Sequence, residues 1–250
     1  MKNVIITGAA GFIGSNLARK LLANKELNVF LVEDFGELSN KFDNMKTIFP
    51  WHAWLPHEDL LDRLDRKDVT LSDTFIVHLG ANSSTTERDV GKILKQNTSF
   101  SNDLISTLHD RVKIIFASSA SIYGNSQKKF GSQMAEPLCP YAYSKYLTDK
   151  YILSFENTVT SLRFFNVYGQ HGEAHKKGQS SVFHPFTKQL KETGVVRLFE
   201  SPKDAPISRD FVHVDDICNV IQFFLDNPEK HGIFDVGTGV DRTFEEVADD

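Results

Sequence analysis

A doubly wound parallel α/β sheet is the fold this sequence predicts. Short apolar, β-branched runs alternate along the 250 residues with segments of helical periodicity, the pattern of strands buried on both faces under flanking helices. The first run, Val4-Ile5-Ile6, breaks at Thr7-Gly8 and passes through glycines into Phe12, Ile13, Leu17, Leu21 and Leu22 at helical spacing. Three runs end in small or hydroxylated residues, where such a sheet opens its ligand crevice. Together these make the sheet Rossmann-type.

Gly8, Gly11 and Gly14 are spaced GxxGxxG. They let the backbone approach a pyrophosphate, which the N-terminus of the following helix attracts through free N–H groups and its dipole. The second strand, Val29 to Val32, closes on Glu33-Asp34. A carboxylate there accepts both ribose hydroxyls of an adenosine and repels a 2′-phosphate, so Asp34 favours NAD. Lys41 is either the cation that binds such a phosphate or a solvated loop charge, and NAD and NADP both stay open. Residues 35–73 hold a short strand and a helix around Leu60, Leu61 and Leu64. The strand Phe75 to Leu79 ends in Gly80-Ala81-Asn82, small enough for a ribose to pass.

Ile93 to Leu108 reads as one helix, Lys113 to Ala117 as a strand running into Ser118-Ser119, and Tyr141 to Phe155 as a helix started by Pro140. Val159 to Phe164 is a strand, left through Asn166 to Gly169, and 170–179 is a polar, basic loop. A helix over 181–193, a strand over Val195 to Phe199 and another at 211–213 follow. Val214 to Leu225 is helical with Asp215 and Asp216 in its first turn, Ile233 to Val236 is a strand, and Thr243-Phe-Glu-Glu246 has the form of a capping box. Residues 1–167, rejoined by 211–236, form a dinucleotide-binding domain, and 168–210 with 237–250 form part of a substrate lobe.

Composition narrows the function. The formal charge of −5 comes without a basic block, which excludes a nucleic-acid surface. Cys139 and Cys218 form neither a disulfide framework nor a zinc pattern, and suit a reducing cytoplasm. Nothing approaches the roughly 18 apolar residues that span a bilayer. The start loosely imitates a signal peptide, but cleavage would discard the glycine loop. No metal is expected.

Chemistry gathers at one rim, where Gly8–Gly14, Gly80–Ser83 and Ser118-Ser119 all lie at strand ends. Tyr141 and Lys145, four apart, share one face of the helix that comes after the serines. An ammonium beside a phenol stabilises phenolate and lowers the tyrosine pKa, so Tyr141 can take a proton from an alcohol while hydride leaves to a nicotinamide. Ser119 can hold the same oxygen. Tyr146 and Lys150 repeat the spacing without the preceding serines, and read as structural.

TGAAGFIG, HLGAN, ASSASIYG, YAYSK and RFFNVYG together resemble the extended short-chain dehydrogenase/reductases, among them the nucleotide-sugar epimerases and dehydratases. Those dehydratases carry an Asp-Glu pair where this chain has Ser119-Ala120, which disfavours dehydration. SSTTE (Ser83 to Glu87), HKKG (His175 to Gly178), and Leu198-Phe199-Glu200 with Ser208 to Val212 resemble, more narrowly, the ADP-L-glycero-D-manno-heptose 6-epimerases. That resemblance implies a tightly bound NADP or NAD, one per chain, that oxidises C6 of the sugar to a ketone and returns the hydride to the other face. It implies two acid–base groups, Tyr141 and Lys176, with Lys177 the alternative to the latter. It implies cofactor contacts at Phe12, Ile13, Asp34, Phe35, Lys41, Asn97 and Lys145, beside those expected at the strand end from Leu79, Gly80, Ala81, Asn82 and Ser83. Substrate contacts fall on Asn166, His184, Phe199, Ser201 and Arg209, the last as a bidentate partner for the diphosphate. A nucleotide-sugar substrate, a homo-oligomer and a cytoplasmic location come with it. Such chains continue past Asp250, so the small C-terminal lobe is expected to be truncated. An epimerase of another nucleotide sugar (4-epimerase type) and a non-catalytic dinucleotide-binding relative stand as alternatives.

Overall fold

The structure, a computed structural model, describes residues 1–48, 54–66, 71–125, 135–155, 158–169, 171–198 and 206–249. Its elements in chain order are β1 (Lys2–Thr7), α1 (Phe12–Leu22), β2 (Leu27–Glu33), α2 (Leu38–Lys46), β3 (Trp54–Pro56), α3 (Leu60–Leu64) and β4 (Thr74–His78). Then come α4 (Val90–Ile93), α5 (Phe100–Leu108), β5 (Lys113–Ser119), α6 (Pro140–Ile152), β6 (Val159–Phe164) and β7 (Asn166–Tyr168). The last are α7 (Phe183–Thr193), β8 (Ser208–His213), α8 (Val214–Asp226), β9 (Gly232–Val236), β10 (Asp241–Thr243) and α9 (Phe244–Asp249).

Seven parallel strands form the main sheet in the order β3-β2-β1-β4-β5-β6-β9. Alternate residues of each strand point to opposite faces. Val4 and Ile6 therefore join Leu17 and Leu21 of α1 and Ile217 and Ile221 of α8, while Ile5 joins Leu104, Ile105 and Leu108 of α5. Burying each such side chain stabilises the fold by about 1.5–3 kcal/mol. The expected doubly wound architecture is the one observed. Beyond it, β7, β8 and β10 make a small second sheet, packed through Phe211 on Phe186 and Val247, with Tyr168 stacked on Phe183 at 4.1 Å.

Three segments depart from the sequence reading. α2 was not foreseen, and it has no buried residue, so it shows no apolar stripe to read. The expected strand over Val195 to Phe199 is absent at 195–198, and Phe199 lies outside the described residues. There the backbone turns to side chains of α7: Gly194 ends the helix at φ +70°, Thr193 Oγ1 bonds both ends of Val195, and Gln189 Oε1 takes the Arg197 N–H at 2.7 Å. The helix expected over 93–108 starts at Val90, capped by Asp89, and contains a six-residue π-helical stretch, Leu94–Ser99, between α4 and α5. The capping box forms as expected, with Thr243 Oγ1 accepting from Glu246 N–H at 3.1 Å and Glu246 Oε2 from Thr243 N–H at 2.7 Å. Among the described residues no helix is long and apolar enough to cross a membrane.

Candidate active site

The chain runs outward from β1 through β2 to β3, then returns to place β4 on the other side of β1. Ligands belong at that switch, beyond the carboxyl ends of the strands. Thr7 lies level with His78 and Ser119 level with Phe164, and past them opens a cleft of about 1590 Å³.

The three glycines have separate duties. Gly8 adopts φ +67°, and a Cβ on it would sit 2.7 Å from Gly80 N, so it lets β1 and the end of β4 close up. A Cβ on Gly14 would lie 2.1 Å from Gly8 O, so this glycine seats α1 against the loop. Gly11 is the N-cap of α1 and supplies no side-chain cap, and around its Cβ position only Gly8 O, at 3.0 Å, comes near. The first-turn N–H groups of Phe12 and Ile13 thus stand at the cleft for an anion. Ser118, whose buried hydroxyl has no partner among the described residues, also lines the cleft. These residues fit a dinucleotide.

Glu33, more than Asp34, organises the end of β2. It is 3% exposed; Oε2 accepts from Ala10 N–H at 2.8 Å, and Oε1 accepts from Asp34 N–H and Lys41 Nζ, both at 3.0 Å. Asp34 also lines the cleft and accepts the Gly36 N–H at 2.9 Å. Leu79, Gly80, Ala81, Asn82 and Ser83 line it from β4, Asn166 from β7 and Arg209 from β8. Several expectations need correcting. Phe35 is 43% exposed on a 3-10 turn outside the cleft, and His184 is exposed on α7 and does not line it. Asn97 is buried and bonds Asn82 through its N–H and C=O at 2.8 and 3.0 Å, so it props the β4 loop from behind. Phe199, Ser201 and the Lys177 side chain lie outside the described residues.

Tyr141 begins α6, with Ser119 hydrogen-bonded to its phenol. Lys145, one turn on, is buried and donates to Ala117 O at 2.7 Å, with its Nζ 4.7 Å from the Phe116 ring centroid and 5.9 Å from that of Tyr141. Burial pushes the Tyr141 phenol up, against the Ser119 bond that pulls it down, and burial brings Lys145 down to about 8, opposed by Asp149. The expected lowering of the tyrosine by the lysine is not seen: burial outweighs what lowers the phenol, and the ammonium lies 5.9 Å from the ring centroid. Beneath them Asp149 accepts from Ser161 Oγ at 2.6 Å and Arg163 Nε at 2.8 Å, and Arg163 reaches Tyr123 at 2.7 Å.

Lys176 stands on a 3-10 turn, Ala174–Gln179, where a plain loop was expected. The approach is pinned to α1 and α2: Asn16 donates to His171 O at 2.9 Å, and Asn44 to Gly172 O at 3.1 Å and Ala10 O at 2.9 Å. Gly172, at φ +94°, passes so close that a Cβ would meet Ser15 Oγ at 3.0 Å. At the far end Gln179 donates to Ser84 Oγ and Thr86 Oγ1, at 2.9 and 3.1 Å, giving the SSTTE stretch a mechanical task. Lys176 Nζ lies 5.3 Å from the Phe12 ring centroid, and burial lowers its pKa against the opposing field of Glu173. Glu173 is buried, bonded to Ser181 at 2.7 Å through one oxygen and without a partner among the described residues at the other, and burial raises its pKa. Sequence reasoning missed Glu173, and with it His78, a buried imidazole that burial depresses to about 3 and that bridges Thr7 and Ser101 at 2.6 and 2.9 Å.

Over residues 4–237 the chain matches the family described as the NAD dependent epimerase/dehydratase family. It is 37% identical over 254 residues to an ADP-L-glycero-D-manno-heptose-6-epimerase from Cupriavidus pinatubonensis, covering 98% of this chain and 76% of that one. The fold matches the crystal structure of the Helicobacter pylori protein of the same name with a TM-score of 0.85 at 28% identity, covering 98% of this chain and 80% of that one. A Thermotoga maritima UDP-glucose 4-epimerase, solved with UDP-glucose, matches with a TM-score of 0.80 at 28% identity, covering 99% of this chain and 80% of that one.

Proposed function

This chain belongs to the NAD dependent epimerase/dehydratase family, and on that premise we propose that it inverts C6 of ADP-D-glycero-D-manno-heptose. The observation that carries the reading is that Tyr141 and Lys176, two proton-transfer groups on separate elements, line one cleft. Inversion needs a proton moved at the C6 oxygen on each face, whereas a one-way oxidation or reduction needs only one such group.

The N–H groups opening α1 would hold the diphosphate of the cofactor, Glu33 and Asp34 its adenosine, and the β4 loop with Lys145 the nicotinamide half. A nicotinamide dinucleotide, when bound, supplies a hydride acceptor that can also return the hydride. Tyr141, kept protonated by burial, gives its proton to the C6 oxygen, and Ser119 orients that oxygen. Lys176, depressed by burial, takes the C6 hydroxyl proton on the other face; the two exchange roles in the reverse direction. Ser119-Ala120 offers no carboxyl group to expel water, so elimination lacks its acid. Asn166 and Arg209, on the small sheet, would bind the sugar and its diphosphate. Residues 1–167 with 211–236 act as the dinucleotide-binding unit in this reading, and the cytoplasm supplies the nucleotide-linked substrate.

The test is to mix the purified protein with ADP-D-glycero-D-manno-heptose and follow the C6 epimer by NMR. Appearance of the epimer is the expected result. No interconversion, with UDP-glucose turned into its 4-epimer instead, would move the activity to C4.

A further inference from the structure

We propose that Glu173, which the reaction above does not use, is a positioning residue for Lys176: its carboxylate clips the turn that carries the lysine and serves as the buried counter-charge of its ammonium. The inference rests on the reading of Lys176 as the second proton-transfer group and names what holds that group ready.

Glu173 stands directly before the 3-10 turn Ala174–Gln179 and is 2% exposed. A carboxylate is seldom buried so deeply unless it is paired. Its main-chain carbonyl accepts the Lys176 N–H at 2.9 Å, the three-residue step that brings side chains of such a turn onto one edge. Its Oε2 accepts from Ser181 Oγ at 2.7 Å, just past the end of the turn. One residue thus bonds the turn through its main chain and the segment beyond it through its side chain, and Lys176 and Ser181 both line the cleft. The other oxygen, Oε1, is buried without a hydrogen-bond partner among the described residues.

The two charges act on each other. Burial raises the Glu173 carboxyl, and the Ser181 bond with the fields of Lys176 and His184 pulls it back. Burial lowers Lys176, and Glu173 opposes it. The remaining groups around the pair do not take that part. From α1 the lysine meets the uncharged Phe12 ring. His175, next in the chain, is itself lowered by burial, and the fields of Lys41 and Glu33 from the β2 side reach it. Tyr141, Lys145 and Arg209 line the same cleft and bring no carboxylate. A lysine that takes a proton in one direction and gives it in the other needs its two forms close in energy. Burial alone favours the neutral form, and a carboxylate behind the turn draws it back toward the charged one.

The test follows the pH at which Lys176 loses its proton, read from its rate of reductive methylation across pH by peptide mass spectrometry, beside the pH profile of kcat/KM for epimer formation. Glu173→Gln keeps an acceptor for Ser181 and removes the charge. Its Lys176 midpoint and the acidic limb of its profile should both fall by about one pH unit, because the neutral lysine takes the proton and the field favouring the charged form is gone. Should Glu173→Gln fail to fold, Lys176→Met gives the reciprocal measurement: in protein carrying 13C-labelled glutamate, one carboxyl resonance should titrate above the others in the parent and higher again, by about the same amount, in the variant. An unmoved Lys176 midpoint in Glu173→Gln, or an unmoved carboxyl in Lys176→Met, overturns the proposal and leaves the epimerase reading standing. A midpoint that falls while Lys176→Met epimerises at the parental rate overturns the reading of Lys176 as a base, and with it the role proposed for Glu173.

Discussion

Tyr141 opens a helix of 13 residues whose underside is fixed by a buried chain of charged and polar bonds from Asp149 through Arg163 to Tyr123. Lys176 rides on a 3-10 turn of six residues, fastened by exposed or half-buried side-chain amides to α1, α2 and the loop after β4. One wall takes its precision from regular structure and a dry network, the other from bonds between loops that meet only in the folded chain. The difference separates a stable seat from an adjustable one, and it sets what each wall tolerates.

Removing the two proposed acid–base groups should have the largest effect. Tyr141→Phe and Lys176→Met should each slow epimer formation by about 10²–10⁴-fold. Lys177→Met should stay close to the parental rate; if it is the slow variant and Lys176→Met is not, the second wall is one residue out of place. Next in size, Asp149→Asn should leave Arg163 buried beside a neutral partner and cost about 3–5 kcal/mol of stability, read from urea unfolding. A smaller loss would mean that the Tyr141 wall does not depend on its buried network.

At the buried end of β4 sits His78, whose folded pKa of about 3 lies below its ordinary 6.5. Below pH 6.5 the unfolded chain takes up a proton that the folded chain refuses, so stability falls as pH drops from 6.5 toward 3, at up to about 1.4 kcal/mol per pH unit. Unfolding midpoints at successive pH values should show His78→Asn losing less than the parent on acidification. Smallest is Asn44→Ala, expected to cost about 1 kcal/mol. It should nonetheless lower the epimerisation rate more than it lowers stability, because it loosens only the turn. Unchanged turnover would show that Lys176 needs no such fastening.

The Tyr141 wall was legible in the sequence because its parts are local: a strand, paired serines, and a tyrosine and lysine one helical turn apart. The fold was legible for the same reason, since buried parallel strands announce themselves as apolar runs. The Lys176 wall was not, apart from its resemblance to a family motif. Asn16, Asn44, Gly172 and Gln179 are scattered over more than 160 positions, and no spacing rule links an amide on α2 to a carbonyl beyond β7. Glu33 was passed over for Asp34 because sequence shows a pair of acids but not which one turns inward. The tyrosine–lysine coupling failed on a detail that spacing cannot reveal, the burial of the phenol, which raises its pKa.

The π-helical stretch at Leu94–Ser99 carries a consequence for how the chain can change length. A wide turn of this kind holds one residue more than an α-helix of the same span, and that surplus is absorbed without rotating the helix beyond it. Ile93 before it and Leu104, Ile105 and Leu108 after it all reach the interior. Deleting Gln96 should therefore tighten the stretch to α and keep α5 in phase, where a deletion inside α5 would swing its apolar face by about 100°. The shorter helix would forfeit the placement of Asn97 behind Asn82, so a deletion that melts near the parental temperature should still disturb the β4 loop. Length here is exchanged against a single prop.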